Sequence, residues 1–283
     1  MSILHSLFLG IIQGLTEFLP VSSTAHLTIA GKFLGIISPE HPEQWTAFVA
    51  VIQLGTLAAV LLYFAKDISS ITTTFLRENL GAGRLPIKQQ SLNARLGWMI
   101  GIGSVPIVVI GLGLKKVIEG NLTKDLTVIS CSLIGLAVIL AIAERVAIFK
   151  KNINAVSWWD AIVVGCAQSL ALIPGASRSG TTITAGLFLG MTRETAARFS
   201  FLLSIPAVLG SGLLELKHSL GYITSADALA LVVASAAAFV SGYASIAFLL
   251  KFLRSKSTYV FVIYRIALGI LLLVLIKSGA ILP

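Results

Sequence analysis

Of the 283 residues, 56% are hydrophobic and 12% charged, with a mean hydropathy of +0.94 and a formal net charge of +9. Soluble domains carry roughly 25% charged residues, so these values exclude a water-soluble globular domain and point to a polytopic membrane protein. They also exclude nucleic-acid binding as the reason for the positive charge, because the basic residues sit in short stretches between apolar runs, where they set membrane orientation.

The chain opens with a broken apolar segment, about residues 3–36, interrupted at Pro20 and the serines that follow. It lacks the basic flank and small-residue cleavage site of a removable signal peptide. Three apolar runs follow at about 45–65, 93–114 and 126–148, with a basic stretch at 66–92 read as a loop. A second broken segment covers about 156–190, interrupted at Pro174-Gly175, and three further runs lie at about 197–216, 226–250 and 259–280. Each of the six long runs has the ~20 residues that carry a helix across a bilayer core. None alternates like a barrel strand, so the fold class is all-α. Cys131 and Cys166 lie in apolar helical stretches and read as small apolar side chains.

The two broken segments are copies of one another. Residues 10–35 and 165–190 align without a gap at an offset of 155, with nine of 26 positions identical, among them Gln13/Gln168, Ser22/Ser177 and Gly35/Gly190. Neither half of a broken segment is long enough to cross alone, so each reads as a helix–break–helix hairpin entering and leaving on one side. Three spans separate the copies, an odd number, so the hairpins enter from opposite faces. The expected architecture is a single membrane domain built as an inverted-topology repeat, 1–150 and 151–283, each half one re-entrant hairpin plus three spans. With 66–92 placed inside, thirteen of the 21 Lys and Arg residues fall inside and six outside. That puts both termini and the entry of the first hairpin outside. Trp158 and Trp159 beside Asp160 read as an interfacial belt.

In such folds the tips meet near the centre and build the site. The first tip offers Gln13, Glu17, Ser22, Ser23, Thr24 and His26. Gln13 and Glu17, four apart, share a helix face. The second tip, P-G-A-S-R-S-G-T-T at 174–182, brings Arg178, the hydroxyls of Ser177, Ser179, Thr181 and Thr182, and the flexible backbone of Gly180 opening a helix. Helix-start N–H groups and an arginine fork make a phosphate clamp. A carboxylate, a histidine and hydroxyls opposite a phosphate clamp point to hydrolysis or transfer at a phosphate. Arg265 beside Tyr264 reads as a snorkelling interfacial residue in preference to a further phosphate contact. Gln53 and Ser204 read as bonding neighbouring helices in preference to lining a cavity.

The motifs Q-G-L-T-E-F-L-P-V-S-S-T-A-H at 13–26 and P-G-A-S-R-S-G-T-T at 174–182, with V-I-Q-L-G at 51–55, F-S-F-L-L-S-I-P at 199–206 and Y-R at 264–265, resemble the bacitracin-resistance family of undecaprenyl-diphosphate phosphatases. The resemblance runs nearly end to end. It implies a hydrolase of the bacterial inner membrane, acting at its outer face, that removes the terminal phosphate of the C55 isoprenoid diphosphate and recycles the carrier of cell-wall synthesis. It also implies a divalent cation, for which we expect Mg²⁺ or Ca²⁺ with Glu17 as the protein ligand. It carries the acidic motif onto Gln13 and Glu17, the hydroxyl pair onto Ser22 and Ser23, the histidine onto His26 and the phosphate-binding arginine onto Arg178. Many relatives have Glu at the place of Gln13, and a neutral amide is neither a base nor a charged ligand. The residues leave Ser23 and His26 open as nucleophile. A different class of function is a transporter or flippase of a phosphorylated prenyl lipid, since inverted repeats with broken helices suit transport. Transport needs no nucleophile, so the Glu–Ser–His cluster favours chemistry. Membrane lipids and the prenyl diphosphate are the expected partners. A homodimer is a further one, because Gly10, Gly31 and Gly35 allow close contact within the monomer or between copies.

Overall fold

The computed structural model describes residues 1–81, 83–219 and 225–283. The fold is helical, and among the described residues the only β-type pairing is an isolated bridge between Lys151 and Met191. Among the described residues six helices are long and apolar enough to cross a membrane: α3 (Pro42–Tyr63), α5 (Leu92–Gly113), α7 (Leu126–Val146), α10 (Arg193–Ser219), α11 (Ser225–Leu253) and α12 (Tyr259–Lys277). The chain is a multi-pass membrane protein, and its spans lie within a few residues of the expected runs. Much of the outer surface is apolar, as lipid contact requires, with Val109, Val232, Val240 and Ile263 all more than 60% exposed.

Two broken segments complete the architecture. The first is α1 (Ile3–Glu17), a turn through Pro20, and α2 (Ser23–Phe33). The second is α8 (Trp158–Ser169), a 3-10 turn at Leu170–Leu172, a loop through Pro174-Gly175, and α9 (Arg178–Phe188). Proline stops each first half-helix, and a serine starts each second one. Ser157 and Asp160 form a capping box at the start of α8, and Asp160 is also ion-paired with Lys151. Asp160 is thus a fully buried cap beside the half-buried Trp158 and the exposed Trp159.

The basic stretch after the first span is not a plain loop. Residues Ala65–Asn79 form an amphipathic helix, α4, directly after a break at Phe64, and it packs on α5. A short helix, α6 (Lys115–Glu119), links α5 to α7.

Small residues set the packing of the broken segments. α1 lies across α11 and α8 lies across α5. A Cβ on Gly10 would sit 2.2 Å from the Ala234 carbonyl oxygen of α11, and one on Gly165 would sit 2.3 Å from the Gly103 carbonyl oxygen of α5. Only glycine allows backbones so near. Gly31 is closed off by the Trp45 ring. Gly10 and Gly31 therefore serve contacts within the chain. α3 packs against α10, and α7 against α12. Ser204 donates to the Phe201 carbonyl of its own helix, and not to a neighbour as expected.

Candidate functional site

The site forms where the two breaks touch, 161 positions apart in the chain. Glu17 ends α1 and is 6% exposed. Arg178 opens α9 and donates from Nη2 to Glu17 Oε1 at 2.9 Å. The other carboxylate oxygen, Oε2, accepts from Ser23 Oγ at 2.7 Å and from Gln13 Nε2 at 2.9 Å. One carboxylate thus gathers an amide from its own helix, a hydroxyl from α2 and a guanidinium from α9. Gln13 Oε1 and Arg178 Nη1 are buried without a hydrogen-bond partner. A bound phosphate would satisfy the Arg178 donor, and a cation held beside that phosphate would satisfy the Gln13 acceptor.

Both tips share an unusual backbone. Ser22 has φ 74° and Ser177 has φ 70°, in the region L-residues seldom adopt. Holding a non-glycine residue there costs about 1–3 kcal/mol. The conformation turns each serine hydroxyl onto a helix start: Ser22 Oγ accepts from the Ala25 N–H and Ser177 Oγ from the Gly180 N–H. Ser22 also pairs with Thr24 at 3.1 Å, and Ser177 with Ser179 at 3.2 Å. Because Gly180 and Thr181 donate to Ser177, the cap leaves the Arg178 and Ser179 N–H groups as the anion-facing donors of α9.

The remaining hydroxyls of the second tip turn inward. Ser179 donates to the Leu19 carbonyl of the first tip at 3.0 Å. Thr181 and Thr182 donate to the Arg178 carbonyl, and Thr182 also meets Ser200 of α10 at 2.6 Å. These groups tie the tips to each other and to α10. Gly180 is small for a reason the sequence did not show, since a Cβ there would lie 2.7 Å from Arg265 Nη1.

Arg265 corrects the expectation of a snorkelling residue. It is fully buried and donates to Ala176 O at 3.0 Å, Gly175 O at 3.3 Å and Pro20 O at 3.5 Å, joining the two tips. Its place in the middle of an apolar run was the available signal, because an ionisable group at membrane depth turns inward when carbonyls are there to meet it. Its neighbour Tyr264 brings its hydroxyl to 2.6 Å from His26 Nε2. His26 Nδ1 lies 2.7 Å from the Ser22 carbonyl, which can only accept, so Nδ1 carries the proton and Nε2 of the neutral ring accepts from Tyr264. Gln168, the second-half counterpart of Gln13, is fully buried with neither amide atom bonded. Leu172 stands where Glu17 stands in the first half, so the chemistry is one-sided.

Residues 6–271 match the family of bacitracin resistance protein BacA. The chain belongs to that family. It is similar over 95% of both chains, at 62% identity, to the undecaprenyl-diphosphatase of Syntrophobacter fumaroxidans. It is 53% identical to that of Myxococcus xanthus, over the whole of this chain and 92% of the relative. To that of Chlorobaculum tepidum it is 50% identical over the full length of both. The family membership covers every residue of the Glu17 cluster, from Gln13 to Arg265.

Proposed function

We propose that this protein is a membrane phosphatase that hydrolyses undecaprenyl diphosphate to undecaprenyl phosphate and inorganic phosphate. The observation that carries the reading is the Glu17–Ser23–Arg178 cluster: a hydroxyl 2.7 Å from a carboxylate that can take its proton, beside a guanidinium with one arm free. The full-length relatives named undecaprenyl-diphosphatase supply the substrate.

Arg178 Nη1 and the first N–H groups of α9 bind the terminal phosphate. Ser23 Oγ attacks the terminal phosphorus and passes its proton to Glu17, while the bond to the bridging oxygen breaks and undecaprenyl phosphate leaves. Glu17 gives that proton to the departing phosphate oxygen, then takes one from the water that attacks the phosphoserine and returns it to Ser23 Oγ as inorganic phosphate leaves, which restores both the hydroxyl and the carboxylate. His26 is held by Ser22 and Tyr264 on its two nitrogens, so it orients the α2 end of the site and is not the nucleophile. Arg265 fixes the carbonyls of both breaks, which keeps Ser23 and Arg178 in register.

A divalent cation, Mg²⁺ or Ca²⁺, fits this donor set. Among the described residues no group of three or more His, Cys, Asp or Glu exists to cage a metal. One carboxylate plus substrate oxygens is a normal way to hold Mg²⁺. Glu17 and the unpartnered Gln13 Oε1 would hold it, and it would neutralise charge on the diphosphate.

The architecture supports an inverted-topology repeat, residues 1–150 and 151–283. Positive-φ serines, hydroxyl caps and the closing glycines Gly35 and Gly190 recur at the 155-residue offset. Each first half-helix crosses the middle span of the other half, α1 on α11 and α8 on α5. Three spans between the hairpins support entries on opposite faces, and the charge bias supports an orientation with the first hairpin and the active site towards the outer face of the inner membrane. A second copy of the chain is not required by this site, since Gly10 and Gly31 are used internally.

The test is phosphate release from a long-chain prenyl diphosphate by purified protein in detergent, with Mg²⁺ or with a chelator. Metal-dependent release that Glu17→Ala and Ser23→Ala abolish is the expected result. Folded protein that releases no phosphate with any metal would overturn the reading.

A further inference from the structure

A glutamine outside the Glu17 cluster lies in the middle of α3. The expected bond from Gln53 to a neighbouring helix is not made: its amide has no hydrogen-bond partner among the described residues. An amide at membrane depth with nothing to bond is costly. This one does not look into lipid, because its own side of the helix is covered. Val49 is buried one turn before it, Thr56 and Leu57 one turn after it, and Val60 a turn further. Yet Gln53 is only half-buried, and both of its amide atoms are reached by solvent. The side chain therefore faces a gap between packed helices that water can enter.

Helix register puts that gap beside Ser23. α2 and α3 run in opposite directions, with Gly31 against the Trp45 ring and Leu27 in one apolar cluster with Val49. Residues four apart share a helix face one turn apart, so the next rung of this ladder is Ser23 with Gln53. α1 and α3 run the same way. Leu9 joins the cluster of Val49 and Ile52, and further along both helices a Cβ on Gly242 would meet Phe18 at 3.2 Å and Thr56 at 3.3 Å. Gln13 on α1 and Gln53 on α3 both lie between these two levels. That Gln13 and Ser23 share a layer is seen directly, since both bond Glu17 Oε2. Resting on the phosphatase reading above, we infer that Gln53 is a further substrate-binding residue, which donates from Nε2 to an oxygen of the phosphate that Ser23 attacks. Phosphate oxygens accept, and Nε2 is the donor of the Gln53 amide. Arg178 holds the phosphate from α9 and Gln53 holds it from α3. Because the amide is neutral, it grips the anion without competing with Arg178 for Glu17.

The experiment has two arms, both with the full-length protein in detergent. In the first, phosphate release from a long-chain prenyl diphosphate is measured for the parent, Gln53→Leu and Gln53→Glu, with a thermal melt of each. Gln53→Leu should lower kcat/KM about tenfold. Gln53→Glu, nearly the same shape, should lower it about 100-fold, because it sets a negative charge against the phosphate. Neither should melt lower, since the amide they replace bonds nothing. In the second arm the same diphosphate is bound to Ser23→Ala protein, which does not turn it over, and adding Gln53→Leu should weaken its Kd about tenfold. Gln53→Glu reports even if the leucine variant fails to fold. Both variants within about threefold of an active parent, or an unchanged Kd, overturn the inference and leave the phosphatase reading standing. A rate that falls only in step with a lower melt, at unchanged Kd, makes Gln53 a packing residue and also overturns it. A parent that releases no phosphate overturns the phosphatase reading and this inference with it.

Discussion

Replacing Arg178 by lysine separates charge from geometry at the centre of the site. The guanidinium reaches Glu17 with Nη2 and leaves Nη1 buried and unpartnered. A lysine keeps the charge but offers one compact nitrogen in place of two at fixed spacing, so it holds Glu17 or the phosphate, not both in the same geometry. Because Glu17 is the nearer and permanent partner, the bond lost is the one to phosphate. A hydrogen bond to a charged group is worth about 1.5–3 kcal/mol, and about 1.4 kcal/mol is tenfold in rate. Arg178→Lys should therefore lower kcat/KM for a prenyl diphosphate by roughly 10- to 150-fold with little change in thermal stability. Arg178→Ala should lose more kcat/KM, because both arms of the clamp go, and should also melt lower, because a Glu17 carboxylate buried without its cation costs about 3–5 kcal/mol of stability. Phosphate release at several substrate concentrations, with a thermal melt of each variant, gives the answer. A lysine variant within threefold of the parent in kcat/KM refutes the two-armed clamp.

Three other substitutions probe separate parts of the argument. Ser23→Ala should reduce turnover by at least about 10³-fold, whereas Tyr264→Phe, which removes only the hydroxyl on His26 Nε2, should cost about tenfold or less; the reverse order in a release assay would make His26 the reacting group. Gly10→Val should lower the melting temperature or prevent accumulation of folded protein, because its Cβ would lie 2.2 Å from the Ala234 carbonyl oxygen; a melt indistinguishable from the parent would contradict the close crossing of α1 and α11. Lys124, buried at the Thr46 hydroxyl and the Ile118, Glu119 and Gly120 carbonyls, has its pKa lowered from 10.5 to about 8 by desolvation, against the opposing pull of Glu119 and Glu43. The unfolded chain then holds the extra proton between these values, so stability should rise as pH increases from about 8 towards 10.5, and Lys124→Met should flatten that slope in thermal melts.

The spans were legible because lipid leaves few alternatives: a run of about twenty apolar residues has to be a helix. The tips were legible because Pro20, Pro174 and the serines beside them break a helix in a way the flanking runs do not. α4 was not, because Ala65–Asn79 is polar enough to read as a loop and becomes a helix only by packing its apolar face on α5. That the two tips meet was expected from the repeat, but the pairing of Glu17 with Arg178 and the direction of the arginine at 265 were not. A long cationic side chain in an apolar run can turn outward to the interface or inward to carbonyls, and only the positions of Pro20, Gly175 and Ala176 decide between them. Nor does sequence show that Thr182 pairs with Ser200 in place of facing an anion, because a hydroxyl caps, bridges or binds with equal ease.

The crossing of α1 on α11 has a consequence for how the protein is made. α1 ends at residue 17 and its packing partner begins at residue 225, so at about 5–20 residues per second the first hairpin waits roughly 10–40 s for the surface it rests on. Glu17 sits at the end of a half-helix too short to span, and for most of that wait it has no Arg178 to neutralise it. The nascent first half is therefore a natural client for whatever holds membrane segments during insertion. By the same logic, a chain cut between α7 and α8 should regain activity only when both pieces are present in one membrane, since each half carries the groove in which the other half's hairpin lies.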